Sequence, residues 1–146
     1  MGMSEAAYHR VTHDLTVAAA EALLDFNPEL TFCYVTGEGT DSTEGGRLMW
    51  ARVKGKTENQ LLRMPLSTYM FRPGYIQPLG GVRSRSPAYR VMHTAIGPFY
   101  PLLKRLLSRH VTTTVDVGRA MIEVAARGYT KAVLENPDIN SLAVGA

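Results

Sequence analysis

The chain has 146 residues, 45% of them hydrophobic and 20% charged, with a formal net charge of +3. These values fit one globular domain large enough to bury a core. The mild positive charge permits an anionic ligand without demanding one, and no nucleic-acid-binding motif stands beside it.

Glu21, Asp25 and other charges break every apolar run well short of the ~18 residues of a membrane span, so no transmembrane segment is expected. The N-terminus, with Glu5, His9, Arg10 and Asp14, lacks the layout of a secretory signal, and a cytoplasmic protein follows. The single Cys33 has no internal disulfide partner and reads as a reduced core residue.

From Ser4 to Phe26, the residues Val11, Leu15, Ala18, Ala19, Ala22, Leu23 and Phe26 recur at spacings of three and four. The pattern predicts an amphipathic helix burying that stripe, capped by Ser4 and ended by Asn27-Pro28. Leu30 to Val35 is a short run apolar on both faces, as a buried parallel strand would be. A polar, glycine-rich loop, TGEGTDSTEGGR, leads into a helix over LMWARVKGKTENQLL, with Leu48, Ala51, Val53, Leu61 and Leu62 as buried positions. Ser67 to Phe71 is a second strand, so the segment reads as a βαβ unit. Ligands of open α/β sheets bind outside the carboxyl ends of the strands, here Thr36 to Thr40 and Arg72 to Gly74.

Beyond Pro78, Leu79 to Val82 reads as a turn, with helices at Ala88 to Ile96 and Phe99 to Leu107 separated by Gly97-Pro98. The basic residues Arg83, Arg85, Arg90, Lys104, Arg105, Arg109 and His110 read as a solvated face or, with Phe99, Tyr100 and the leucines between them, as a basic, apolar surface for an acidic lipid, a phosphorylated substrate or a protein partner. Thr113 with Asp116 has the spacing of a weak capping box before a helix from Val115 to Ala126, which buries Val117, Ala120, Met121, Val124 and Ala125 and stops at Arg127-Gly128. Thr130 to Leu134 is a last short strand, and Asn136 to Ala146 reads as a loose tail.

The order YVTGEGTD, then WARVKGKTE on a helix, then YMFRPG resembles the C-terminal half of an atypical or extended short-chain dehydrogenase/reductase, of the NAD(P)-dependent epimerase-like branch of the NAD(P)-binding Rossmann-fold family. The likeness spans roughly Ser4 to Asn140. It implies an α/β fold with a partial Rossmann-like parallel sheet flanked by helices, and NAD or NADP as cofactor. Thr36 stands where that family places a hydroxyl that polarises a substrate carbonyl, with Thr40 and Ser42 as nearby substitutes. Lys54 stands where a lysine holds the nicotinamide ribose and assists a catalytic tyrosine four residues earlier. Here that position is Trp50, whose indole has no proton that titrates near neutral pH. Gly37 and the turn Arg72-Pro73-Gly74 would approach the cofactor, and Tyr75 and Gln77 would face substrate. From the residues alone, Lys54 is equally a solvated helix lysine, and the loop hydroxyls suit local backbone bonding. Glu38, Asp41 and Glu44 match no metal site, and His9 and His13, four apart on one helix, are two ligands without a third.

The tight glycine turn that holds a pyrophosphate is not found, since Gly37-x-Gly39 with Gly45-Gly46 is too long and polar. The expectation is therefore one domain, the C-terminal portion of a Rossmann-like fold from a truncated gene, a late start or a fragment. A sheet of about three strands would carry a bare edge, covered by a second copy or another chain. The functional expectation is an epimerase- or oxidoreductase-like protein for a small carbonyl or sugar-like substrate. The alternative is a non-enzymatic remnant that self-associates or binds a protein partner.

Overall fold

The structure, a computed structural model, describes residues 3–79 and 107–145. In chain order the elements are α1 (Glu5–His9), a π-helical turn (Arg10–Asp14), α2 (Leu15–Phe26), β1 (Thr31–Val35), α3 (Met49–Leu62), β2 (Ser67–Arg72) and β3 (Tyr75–Gln77). They continue with β4 (Val111–Thr113), α4 (Thr114–Arg127), β5 (Val133–Glu135) and α5 (Asn136–Gly145). The chain divides into two compact units, Met1–Arg72 with Thr130–Val133, and Pro73–Tyr129 with Leu134–Ala146. The expected turn from Gly80, the helix at Ala88 to Ile96, the helix from Phe99 except Leu107, and the basic residues Arg83, Arg85, Arg90, Lys104 and Arg105 lie outside the described residues. No helix among the described residues is long and apolar enough to cross a membrane.

In the first unit the Ser4 hydroxyl accepts from the Ala7 N–H at 3.3 Å and starts α1. The helix widens for one turn, where the Leu15 N–H closes on the Arg10 carbonyl, and resumes as α2. Asn27 leaves the helical region ahead of Pro28. The stripe expected to be buried is not. Val11, Leu15, Ala18, Ala19, Ala22, Leu23 and Phe26 are exposed, and Ala20 is the buried residue of α2, beside half-buried Thr16, Val17 and Leu24. These residues are also spaced by three and four, so the helix carries two faces of helical period and periodicity alone does not choose between them.

β1, α3 and β2 form the βαβ unit, with β1 and β2 parallel in the register Thr31↔Ser67 to Val35↔Phe71. The pairing runs one residue further, where the Thr36 N–H donates to the Phe71 carbonyl at 2.8 Å. On the other side of β2, the Met70 N–H donates to Ala132 at 2.7 Å, and the sheet order is β1-β2-β5. The fold class is α/β, a partial Rossmann-like parallel sheet flanked by helices. β2 is central and buries Thr68, Met70 and Phe71, whereas β1 is an edge among the described residues and is only half-buried. Ala51, Val53 and Leu61 of α3 are buried, while Leu48, which precedes the helix in an extended conformation, and Leu62 are exposed. Ala20, Leu61 and Met70 form the core, with Phe32, Tyr34, Met64, Leu66 and Val133 against it. Side chains as large as Leu61 and Met70 each contribute about 1.5–3 kcal/mol when fully buried.

In the second unit β3 pairs in parallel with β4 from Tyr75↔Val111 to Gln77↔Thr113. The Thr113 hydroxyl accepts from the Asp116 N–H at 3.0 Å and starts α4, which ends at Gly128 with φ 71°. α4 buries Val117, Ala120 and Val124, half-buries Met121, and leaves Ala125 exposed. The expected loose tail is instead α5, packed on α4 through buried Ile139 and Ala143. Pro137 sits at its first turn, where a missing N–H costs nothing. Buried Asn136 ties the helix down, accepting from the Gly74 N–H at 3.0 Å and donating to the Val111 carbonyl at 3.1 Å.

Candidate functional site

Parallel strands place their carboxyl ends side by side, and α3 runs back across them, so Thr36, Arg72 and the inner face of α3 converge. Lys54, Glu58 and Leu61 share that face at spacings of four and three. Leu61 enters the apolar core and Glu58 does not, although only 1% of it is exposed. Its carboxylate is satisfied by ionic and polar partners. The Thr36 hydroxyl donates to Oε1 at 2.5 Å, and Arg72 Nε lies 3.1 Å from each carboxylate oxygen. Arg72 Nη2 adds a short bond to Oε2 and a bond of 2.6 Å to the Ser42 hydroxyl. The fork of a guanidinium suits such two-point pairing with a carboxylate.

Lys54 donates from Nζ to the Thr36 carbonyl at 2.5 Å. Burial lowers its proton affinity below the ordinary lysine value, and the Glu58 charge partly offsets that. Lys54, Glu58 and Arg72 together carry one excess positive charge at the strand ends.

The loop between β1 and α3 is built by its own polar groups. Asp41 accepts from the Thr43 N–H at 3.0 Å, the Thr43 hydroxyl at 2.6 Å and the Gly46 N–H at 2.6 Å, and these bonds, the Thr43 hydroxyl foremost, hold its carboxyl below the ordinary aspartate range. Thr40 donates to the Gly37 carbonyl at 2.7 Å. Asn59 of α3 donates to the Ser42 carbonyl at 2.9 Å and to Glu44 at 2.7 Å. Gly39 turns at φ 84° beneath the Trp50 ring, which would lie 3.6 Å from any Cβ placed there. At Gly55 a Cβ would fall 1.8 Å from the Asp41 carbonyl oxygen, so only glycine lets the loop lie on α3.

Of the residues singled out in the sequence, Thr36, Gly37, Thr40, Lys54 and Arg72 belong to the first unit, and Pro73, Gly74, Tyr75 and Gln77 to the second. Thr36, Lys54 and Arg72 are in one hydrogen-bonded cluster, with Gly37 and Thr40 in the adjoining loop. The Thr36 hydroxyl is buried and gives its proton to Glu58, with the Phe71 carbonyl as a longer second acceptor at 3.3 Å. In the second unit the Tyr75 hydroxyl donates to Gln77 at 2.9 Å. Sequence reasoning missed Glu58, while Ser42, named there as a substitute for Thr36, accepts from Arg72 instead. The signal for Glu58 was there, a carboxylate in phase with Ala51 and Leu61 on a buried helix face, together with an arginine ending an apolar strand.

No protein-family model matches the chain, and no curated protein matches it significantly.

Proposed function

We propose that the βαβ unit receives the nicotinamide-ribose end of NAD or NADP at the carboxyl end of β1, within a cytoplasmic epimerase- or oxidoreductase-like protein for a small carbonyl or sugar-like substrate. The supporting observation is the placement of Lys54, a half-buried ammonium held against the Thr36 carbonyl beside the glycine loop. An ammonium has three donors, so a lysine anchored by one still has capacity for ribose hydroxyls. Gly37 and Gly39, both at positive φ, let ligand and backbone approach closely. The fit is confined to that end of the cofactor, which when bound would supply the hydride chemistry. Arg72 and Glu58 would fix the site rather than react, and the Trp50 indole transfers no proton.

The test is thermal-shift and calorimetric titration of the purified chain with NAD(H) and NADP(H), recording oligomeric state in the same samples. One cofactor should stabilise saturably, and Lys54→Met should weaken it about 10- to 100-fold, the size of a lost charged hydrogen bond. A folded sample unmoved by either cofactor refutes the reading.

The second reading, a non-enzymatic protein that self-associates or binds a protein partner, is favoured by the exposed apolar face of α2 and by the edge position of β1 among the described residues.

A further inference from the structure

His9 and His13 are four residues apart, and in a regular α-helix a residue five beyond His9 would point well away from it. The turn Arg10–Asp14 is not regular. Its i→i+5 closure, Leu15 N–H on the Arg10 carbonyl, widens the helix and returns Asp14 to nearly the azimuth of His9. The Nδ1 atoms of His9 and His13 then lie 3.1 and 2.9 Å from the same Oδ1 of Asp14. The rings are stacked at an angle of 31° with centroids 4.4 Å apart. Among the described residues this is the one set of three His, Cys, Asp or Glu side chains whose ligand atoms converge, all within 4.8 Å of one another.

We infer that His9, His13 and Asp14 form a binding site for a divalent transition-metal ion of the zinc class, through two imidazole Nδ1 atoms and one carboxylate oxygen. In a tetrahedral site with bonds of about 2.0–2.2 Å, neighbouring ligand atoms stand roughly 3.3 Å apart. The two nitrogen–oxygen separations need open by only a few tenths of an ångström to admit the ion. Neutral imidazole with carboxylate is a donor set for zinc, cobalt or nickel rather than for calcium or magnesium.

Coordination uses the lone pair of a neutral imidazole Nδ1 and an ionised carboxylate, so the metal affinity of such a site falls as pH is lowered.

Three protein ligands leave a fourth position open. His9 also lines a cleft with Glu5, Glu44, Arg52, Val53 and Lys56, where Arg52 is paired with Glu5 at 2.8 Å. The ion would thus lie at the rim of a polar cleft between the first helical segment and α3.

The test uses the full, untagged chain freed of metal with a chelator and titrated with Zn2+ by calorimetry and with Co2+ by visible absorption. One equivalent should bind, and Co2+ should show the ligand-field bands of a site with four or five ligands. His9→Ala, His13→Ala and Asp14→Asn should each weaken binding at least about tenfold, no less than the loss of an outer-sphere partner does. Asp14→Asn is the decisive variant, because it changes an exposed residue conservatively and separates a three-ligand site from a helical histidine pair. No stoichiometric binding, unchanged affinity in Asp14→Asn, or loss of binding only in Cys33→Ser or His110→Ala would overturn the assignment.

Discussion

A glutamate at 1% exposure is tolerable only with its charge answered, and Glu58 has three answers: the Thr36 hydroxyl, the two-point Arg72 fork and the nearby Lys54 charge. Removing one partner leaves an uncompensated charge in a low-dielectric site, whereas removing both sides of a buried pair in favour of apolar groups is often neutral. Arg72→Ala is therefore expected to destabilise the fold by about 3–5 kcal/mol. The double variant Glu58→Leu/Arg72→Leu should recover most of that loss. Urea unfolding of the single and double variants checks both, and a cost for Arg72→Ala below about 1 kcal/mol, the value of an exposed ion pair, would contradict burial of the pair.

At the scale of elements, α3 and the loop before it are fitted by the absence of a side chain. Alanine is ordinarily better than glycine inside a helix by about 0.5–1 kcal/mol. Gly55→Ala should instead destabilise, by about 1–3 kcal/mol as for an overpacked core, because its Cβ would meet the Asp41 carbonyl rather than a side chain that can swing away. Thermal unfolding reads the sign, and a stabilised variant would show that the loop does not lie on α3. The βαβ order was legible in the sequence because parallel strands and a crossover helix leave short runs rich in apolar, aromatic and β-branched residues at Leu30–Val35 and Ser67–Phe71, with the helix between them. The positions of Thr36 and Arg72 at the strand ends followed from that order, whereas Lys54, on the helix, was singled out by the family resemblance. Three features did not follow. The π-helical turn shifts facing by a fraction of a turn that no composition announces, and so hid Asp14 beside the two histidines. Asn136 to Ala146 read as a loose tail, although proline after a capping-type residue, here Asn136-Pro137, is equally a helix start. β4 is only three residues long, and its hydrogen bonds to β3 come from a strand more than thirty residues earlier in the chain.

At the scale of the whole molecule, the exposed side of α2 is the feature that solvation alone does not favour. Phe26 is 91% exposed and Leu15 61%, and they lie on one face with Val11, Ala18, Ala19 and Ala22 at spacings of three and four. A contiguous apolar helix face of this kind marks an interaction surface, and the small residues in its middle let a second helix approach closely. A second copy of the chain would meet that face with the same face. The prediction is that the chain sediments as a dimer or larger at micromolar concentration, and that Leu15→Lys/Phe26→Lys sediments as a monomer with its helical content intact. Substitutions at exposed positions that touch nothing usually change stability by no more than about 0.5 kcal/mol. A loss of association without loss of folding would therefore assign the face to the contact between copies. Should the unsubstituted chain remain monomeric in sedimentation, or the lysine variant associate as before, self-association through α2 is wrong and the face must be solvated or covered by a different chain.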